Sequence, residues 1–191
     1  MGIINFIDNT YQSNRFRCKK NESSFIMFTT LKYYYNVQYN NRITNNIWLG
    51  NYVDSSNENF IKNQNIKVIV NCSKDLPFYF NSSEVPFRYR IPVDDDRQEN
   101  SIQIMSMYLP KIVEIIRHHV GRGQNIYIHC HAGMQRSACV MAAHLMAERG
   151  LTPEQAIHVI KRLRPIAFTP FVNFQKSLDN YAVVLKQKKL M

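Results

Sequence analysis

The chain has 191 residues, and 24 lysines and arginines against 14 acidic residues give it a formal charge of +10. Hydrophobic residues make up 45% and aromatics 12%, enough for one domain with a packed core plus an extension. No apolar run approaches the roughly 20 residues that span a bilayer, and four cysteines are too few for a disulfide framework at this length.

Residues 1–42 are rich in Asn, Ser and aromatics, including Tyr33-Tyr34-Tyr35, and keep no helical period. They read as an extension that packs on the domain or on a partner. Their start, Met1-Gly2-Ile3-Ile4-Asn5-Phe6, lacks the basic region and cleavage site of a secretory signal. Phe6 also stands where a myristoylation motif prefers Ser or Thr.

From Ile43 onward strands and helices alternate. Ile47–Leu49 predicts a short strand, and Asp54-Ser55-Ser56 offers caps for a helix carrying Phe60 and Ile61. Lys67–Asn71 and Phe87–Ile91 predict further strands. Ile102, Met105, Leu109, Ile112, Val113, Ile116 and Val120 keep helical spacing up to a close at Gly121. Pro110 interrupts that stripe and, lacking an N–H, predicts a kink or a new start.

An apolar run at Asn125–Ile128 is followed by a helix-like stretch from Ala138 to Met146. Thr152-Pro153-Glu154-Gln155 is a helix start with a capping Thr, a first-turn Pro and a Gln three residues after the cap. Ala156, Val159, Ile160 and Leu163 then form one apolar face. A last helix is expected to turn Phe171, Phe174, Leu178, Tyr181 and Leu185 inward. Strands separated by helices imply an α/β fold, with a mostly parallel sheet covered by helices on both faces. Residues 43–191 form that domain.

Between the Asn125 run and the Ala138 helix stands His129-Cys130-His131-Ala132-Gly133-Met134-Gln135-Arg136-Ser137. A strand that ends in a nucleophile, turns tightly and starts a helix is a device for binding phosphate. The N–H groups of residues 131–136 can converge on one point, and the helix N-terminus adds its field. The same dipoles favour a thiolate at Cys130. Arg136 supplies a planar fork for two phosphate oxygens.

His-Cys-x5-Arg-Ser resembles the signature of the cysteine-dependent protein phosphatases, and its surroundings resemble the dual-specificity branch. The likeness runs from Ile43 to Leu185. Ile47-Trp48-Leu49-Gly50 is similar to that family's first strand and Val68-Ile69-Val70-Asn71-Cys72-Ser73 to a central one. Ile91-Pro92-Val93-Asp94-Asp95-Asp96 resembles its general-acid loop, and Arg164-Pro165 with Thr169-Pro170 its penultimate connection. In the same resemblance a proline inside the long helix is usual, which favours a helix that continues through Pro110. The family's usual Ser-Pro-Asn is here Thr169-Pro170-Phe171, and Asn173 is the candidate to replace the missing Asn.

The resemblance implies dephosphorylation of phosphotyrosine and of phosphoserine or phosphothreonine in proteins, through a cysteinyl-phosphate and with no cofactor. Cys130 is the expected nucleophile and Arg136 the clamp. Asp94, Asp95 and Asp96 are all candidate acids, and the motif register selects Asp95. Ser137 is expected to donate to the cysteine sulfur or to cap the helix. His131, Ala132, Gly133, Met134, Gln135 and Arg136 form the phosphate loop, with the side chains of His131, Met134 and Gln135 at its mouth. His129 is expected to position the Cys130 backbone.

Zinc is not expected. His129, Cys130, His131 and Cys139 would point ligands in divergent directions, and no second Cys-x-x-Cys pair accompanies them. Cys72 is either a packed strand residue or a redox partner for Cys130. The positive charge keeps phosphoinositides and RNA 5′-phosphates open as alternative substrates. The resemblance implies that superfamily members acting on those substrates carry extra Lys or Arg, or a characteristic second histidine, in this loop, so the absence of Lys or Arg among residues 131–135 favours phosphorylated proteins and disfavours nucleic acid as a partner. A phosphate-binding pseudophosphatase would be expected to lack Cys, Arg or acid, and all three are present. A nucleophilic free thiol points to a reducing, intracellular location, most simply the cytoplasm. The abundance of Asn, Ile, Lys and Tyr matches an AT-rich genome such as that of a protist or a large DNA virus. Oligomeric state and physiological substrate are not encoded in any motif.

Overall fold

A computed structural model of the chain describes residues 39–190. The N-terminal extension, apart from residues 39–42, lies outside the described residues, and with it the Gly2 and Tyr33–Tyr35 features.

The elements run β1 (Asn40–Arg42), β2 (Ile47–Gly50), α1 (Tyr52–Ser55), α2 (Glu58–Asn63), β3 (Ile66–Asn71), β4 (Phe87–Arg90) and α3 (Glu99–Gly121). There follow β5 (Asn125–His129), α4 (Arg136–Arg149), α5 (Pro153–Leu163) and α6 (Gln175–Leu190). The strands form one sheet in the order β1-β2-β5-β3-β4. Only β1 is antiparallel, pairing Asn40–Arg42 with Gly50–Trp48; the other contacts are parallel. The sheet therefore begins inside the segment that the sequence assigns to the extension.

Alternation along the strands decides which side each residue faces. Leu49, Val68, Val70, Ile126 and Ile128 join the main core with residues of α3, α4, α5 and α6. Trp48, Ile69 and Tyr127, their immediate neighbours, join a smaller core with Ile61, Ile66, Phe80 and Val85. Both faces of the central strands are thus covered, which is why they read as continuous apolar runs.

Helix α3 runs unbroken through Pro110. The residue costs one backbone hydrogen bond, which burial of Met105, Leu109, Ile112, Val113 and Ile116 on the same helix outweighs. Helix α5 carries the expected capping box, Thr152 accepting from the Gln155 N–H and Gln155 accepting from the Thr152 N–H.

Three local expectations are corrected. Asp54-Ser55-Ser56 does not cap α2; Asn57 does, accepting from the Phe60 N–H at 3.1 Å, while Asp54 and Ser55 lie inside α1. The cause is tertiary, since buried Asp54 accepts from the Asn40 side chain of β1. Leu163, at the end of α5, is 43% exposed. Phe171 precedes α6 and is 65% exposed, whereas Phe174, Leu178 and Tyr181 are buried as expected.

Candidate active site

Strand β5 lies in the middle of the sheet and ends at His129, so Cys130 emerges at the C-terminal edge between β2 and β3. This is where parallel sheets place ligands. The six residues 130–135 then turn into α4, which starts at Arg136.

The loop is held by its carbonyls. The His129 oxygen accepts from the Cys72 N–H at 2.7 Å, His131 from the Tyr52 N–H at 3.1 Å, and Met134 from the Phe168 N–H at 2.8 Å. Between them, Arg164 Nε donates to the Gly133 oxygen at 2.8 Å and Nη2 to Ala132 at 3.2 Å. A planar peptide points its N–H opposite to its C=O. Tying these carbonyls to the framework therefore turns the loop's N–H groups to its open side. Gly133 makes the turn possible: its φ is +67°, and a Cβ there would stand 2.5 Å from the Gly50 backbone and 2.7 Å from Arg164 Nη2.

Cys130 is 1% exposed, and the Ser137 hydroxyl donates to its sulfur at 3.2 Å. Arg136 is buried and donates from Nη1 to the Val93 oxygen at 3.2 Å, which ties the start of α4 to the loop after β4. Its Nε lies 3.6 Å from Asp95 Oδ2. The other oxygen of Asp95, Oδ1, accepts from Asn173 Nδ2 at 2.8 Å. The structure thus brings Cys130, Arg136, Ser137 and Asp95 together.

The three consecutive aspartates have different partners. Asp94 makes an exposed ion pair with Lys74 at 3.4 Å. Asp96 accepts from the Gln98 N–H, and that bond holds its carboxyl below the usual range. Asp95 alone of the three is joined to the residues around Cys130.

His131 is half-buried against the Tyr52 ring, and burial lowers its pKa. Met134 and Gln135 depart from the expected place at the mouth, since both side chains are buried. Gln135 turns back onto the 169–173 segment, because its amide finds backbone partners there. His129 is fully enclosed, stacked 5.6 Å from Tyr127, and burial pushes its pKa down to about 3, so it stays neutral. Burial pushes the Cys72 and Cys139 thiols up, so both remain protonated.

Arg164 was legible only as part of an Arg-Pro pair. It is completely buried, and its third branch reaches Asn41 of β1 at 2.7 Å. Nothing in the local pattern around Arg164 signals a cation inside the core. In the fold it serves as the donor to the 132–133 carbonyls.

The family model for the dual specificity phosphatase catalytic domain matches residues 47–183. Among curated proteins, tyrosine-protein phosphatase vhp-1 of Caenorhabditis elegans is 32% identical over 75% of this chain and 21% of its own length. Human dual specificity protein phosphatase 9 is 30% identical over 73% of this chain and 35% of its own length. The chain therefore spans about a fifth to a third of those two relatives. Among solved structures, human DUSP28 superposes with a TM-score of 0.68 at 26% identity, covering 78% of this chain and 96% of that one. A mouse putative dual specificity phosphatase complexed with zinc tungstate gives 0.70 at 26% identity, over 80% and 91%.

Proposed function

Because the chain belongs to the dual specificity phosphatase family, we propose that it hydrolyses phosphotyrosine and phosphoserine or phosphothreonine in protein substrates through a cysteinyl-phosphate. The observation that carries this reading is the meeting of four groups at one strand end. The Cys130 sulfur has a hydroxyl donor at 3.2 Å, and the Arg136 guanidinium has the Asp95 carboxyl at 3.6 Å.

Each group answers one difficulty of the reaction. The phosphate dianion repels nucleophiles, and the loop N–H groups with Arg136 offset that charge and hold it as it spreads in the transition state. The Cys130 thiolate attacks phosphorus, forming an S–P bond as the P–O bond to the leaving group breaks. Asp95 gives its proton to the departing oxygen. Water then attacks the intermediate, Asp95 takes the proton back, and the sulfur leaves as thiolate, eased by the Ser137 hydroxyl.

We assign this catalytic domain to residues 39–191, so that it includes β1, and residues 1–38 to an extension. Among the described residues no helix is long and apolar enough to cross a membrane. The need for a free thiolate supports a reducing compartment, the cytoplasm. A loop without Lys or Arg between Cys130 and Arg136 supports phosphoproteins over phosphoinositides or RNA 5′-phosphates.

The test compares purified protein on phosphopeptides, phosphoinositides and triphosphate-ended RNA, with Cys130→Ser and Arg136→Ala as controls. Phosphopeptide turnover that vanishes in Cys130→Ser, falls by about 10²-fold or more in Arg136→Ala, and persists in EDTA supports the reading. Preference for the lipid or the RNA, or activity surviving in Cys130→Ser, overturns it.

A further inference from the structure

Gln135 is buried directly before the clamp arginine, yet its side chain faces away from the phosphate loop. Its Nε2 donates to the Thr169 oxygen at 3.1 Å and to the Phe171 oxygen at 2.7 Å, and its Oε1 accepts from the Asn173 N–H at 3.1 Å. One amide thus holds three backbone groups of one short segment. The same segment returns to the site, because Asn173 Nδ2 donates to Asp95 Oδ1 at 2.8 Å. An exposed Lys176–Glu99 ion pair at 2.9 Å links the start of α6 to the start of α3 just after the aspartates.

We propose that Gln135 and Asn173 are positioning residues for the general acid: Gln135 sets the 169–173 segment, and Asn173 directs the Asp95 proton onto Oδ2. This deepens the reading of Asp95 as the acid and rests on it.

A protonated carboxyl has one carbonyl oxygen and one hydroxyl oxygen, and the carbonyl is the better acceptor of an amide N–H. Asn173 offers only a donor to Oδ1, so Oδ1 becomes the carbonyl and the proton resides on Oδ2. Oδ2 is the oxygen beside Arg136, and at 3.6 Å from Nε it lies beyond hydrogen-bond distance, so of the two oxygens only Oδ1 accepts a full amide hydrogen bond. Without Asn173 the carboxyl is free to rotate about its Cβ–Cγ bond, and the proton has two places to sit. Gln135 enters because the Asn173 backbone is located by its Oε1. The same heptapeptide that supplies nucleophile and clamp then also sets the acid, through the 169–173 segment.

The experiment measures kcat and KM for a poor leaving group, a phosphoserine peptide, and for an activated aryl phosphate. The variants are Asn173→Ala, Asn173→Asp and Gln135→Ala, each alone and in an Asp95→Asn background. Asn173→Ala should lower kcat on the phosphoserine peptide about tenfold and on the aryl phosphate less than about twofold, with KM little changed, and Gln135→Ala should lower kcat on the phosphoserine peptide about tenfold more than it lowers kcat on the aryl phosphate. Asn173→Asp, which keeps the shape but turns the donor into an acceptor, should lose at least as much as Asn173→Ala. In the Asp95→Asn background none of the three should add a further loss selective for the phosphoserine peptide. Equal losses on both substrates, or selective losses that add to that of Asp95→Asn, overturn the proposal while leaving Asp95 as the acid. If Asp95→Asn itself shows no selectivity for the poor leaving group, the acid assignment fails and this proposal fails with it. Thermal unfolding of each variant separates a misfolded protein from a mispositioned acid.

Discussion

Three aspartates in a row carry the same chemistry, and what separates them is the partner each meets. Asp94 is paired with Lys74 at the surface, where such a pair is worth at most about 1 kcal/mol. Asp96 satisfies a backbone N–H at the approach to α3. Asp95 alone has one oxygen on Asn173 and the other near Arg136. Asp95→Asn is therefore expected to slow hydrolysis of phosphoserine peptides by roughly 10²–10⁴-fold, and of activated aryl phosphates far less, since only a poor leaving group needs the proton. Asp94→Asn and Asp96→Asn should stay close to the parent on both substrates. A selective loss in either of those, with none in Asp95→Asn, would move the acid by one position.

At the scale of elements, the register of β3 against β5 gives Cys72 a definite neighbour. Asn71 pairs with His129, so the next residue on each strand sets Cys72 beside Cys130. Adjacent strands lie about 4.8 Å apart, within the roughly 4.4–6.8 Å between Cα atoms that a disulfide spans. The expected outcome is that peroxide oxidises the Cys130 thiolate to a sulfenic acid, which the Cys72 thiol attacks to form the S–S bond with release of water. Mass spectrometry of peroxide-treated protein should find this cross-link, and wild type should regain activity with a thiol where Cys72→Ser does not. Equal recovery in both would leave Cys72 as packing alone.

The two buried histidines of β5 and α4 make a second prediction at this scale. Burial holds His129 at about 3 and His144 at about 4, against 6.5 for a free histidine. Both are neutral in the fold, while the unfolded chain takes up protons as pH drops below 6.5. Stability is thus complete above that value and declines as pH falls toward the folded-state values. Between pH 7 and 5 the loss should be about 2 kcal/mol per histidine. Urea unfolding at the two pH values measures it, and His144→Met should remove about half of the combined effect. An unchanged pH dependence in that variant would contradict the assignment.

The whole domain is joined at Arg164. Its guanidinium holds the 132–133 carbonyls of the phosphate loop and Asn41 of β1, so one side chain connects the phosphate loop with the edge strand. Burial disfavours this cation and lowers its pKa, and it is tolerated because each branch meets an acceptor. Arg164→Met should destabilise the protein by about 2–4 kcal/mol, because three acceptors lose their donors inside the core. It should also lower kcat, as the loop carbonyls it holds are released. Equilibrium unfolding and steady-state kinetics on an aryl phosphate check both. Unchanged stability would mean that water replaces the guanidinium at those carbonyls.

Much of this protein is encoded in local order. The strand, Cys-x5-Arg loop and helix are contiguous from Asn125 to Arg149, so the groups proposed as nucleophile, clamp and hydroxyl donor are already neighbours in the sequence. The alternation of β2, β3 and β5 likewise encodes a buried parallel sheet, and the capping box of α5 needs only its own four residues. What local order does not contain is any pairing across large sequence separation. Asp95 meets Asn173 across 78 residues and Arg164 meets Asn41 across 123. Leu163 and Phe171 keep the apolar character of core residues and are exposed, because no element among the described residues covers them. Gln135 is polar and is buried, because a distant segment offers backbone groups that match its amide. Periodicity tells which residues can be buried. Only the folded chain decides which polar groups find partners, since a hydrogen bond depends on position in space and not on distance along the sequence.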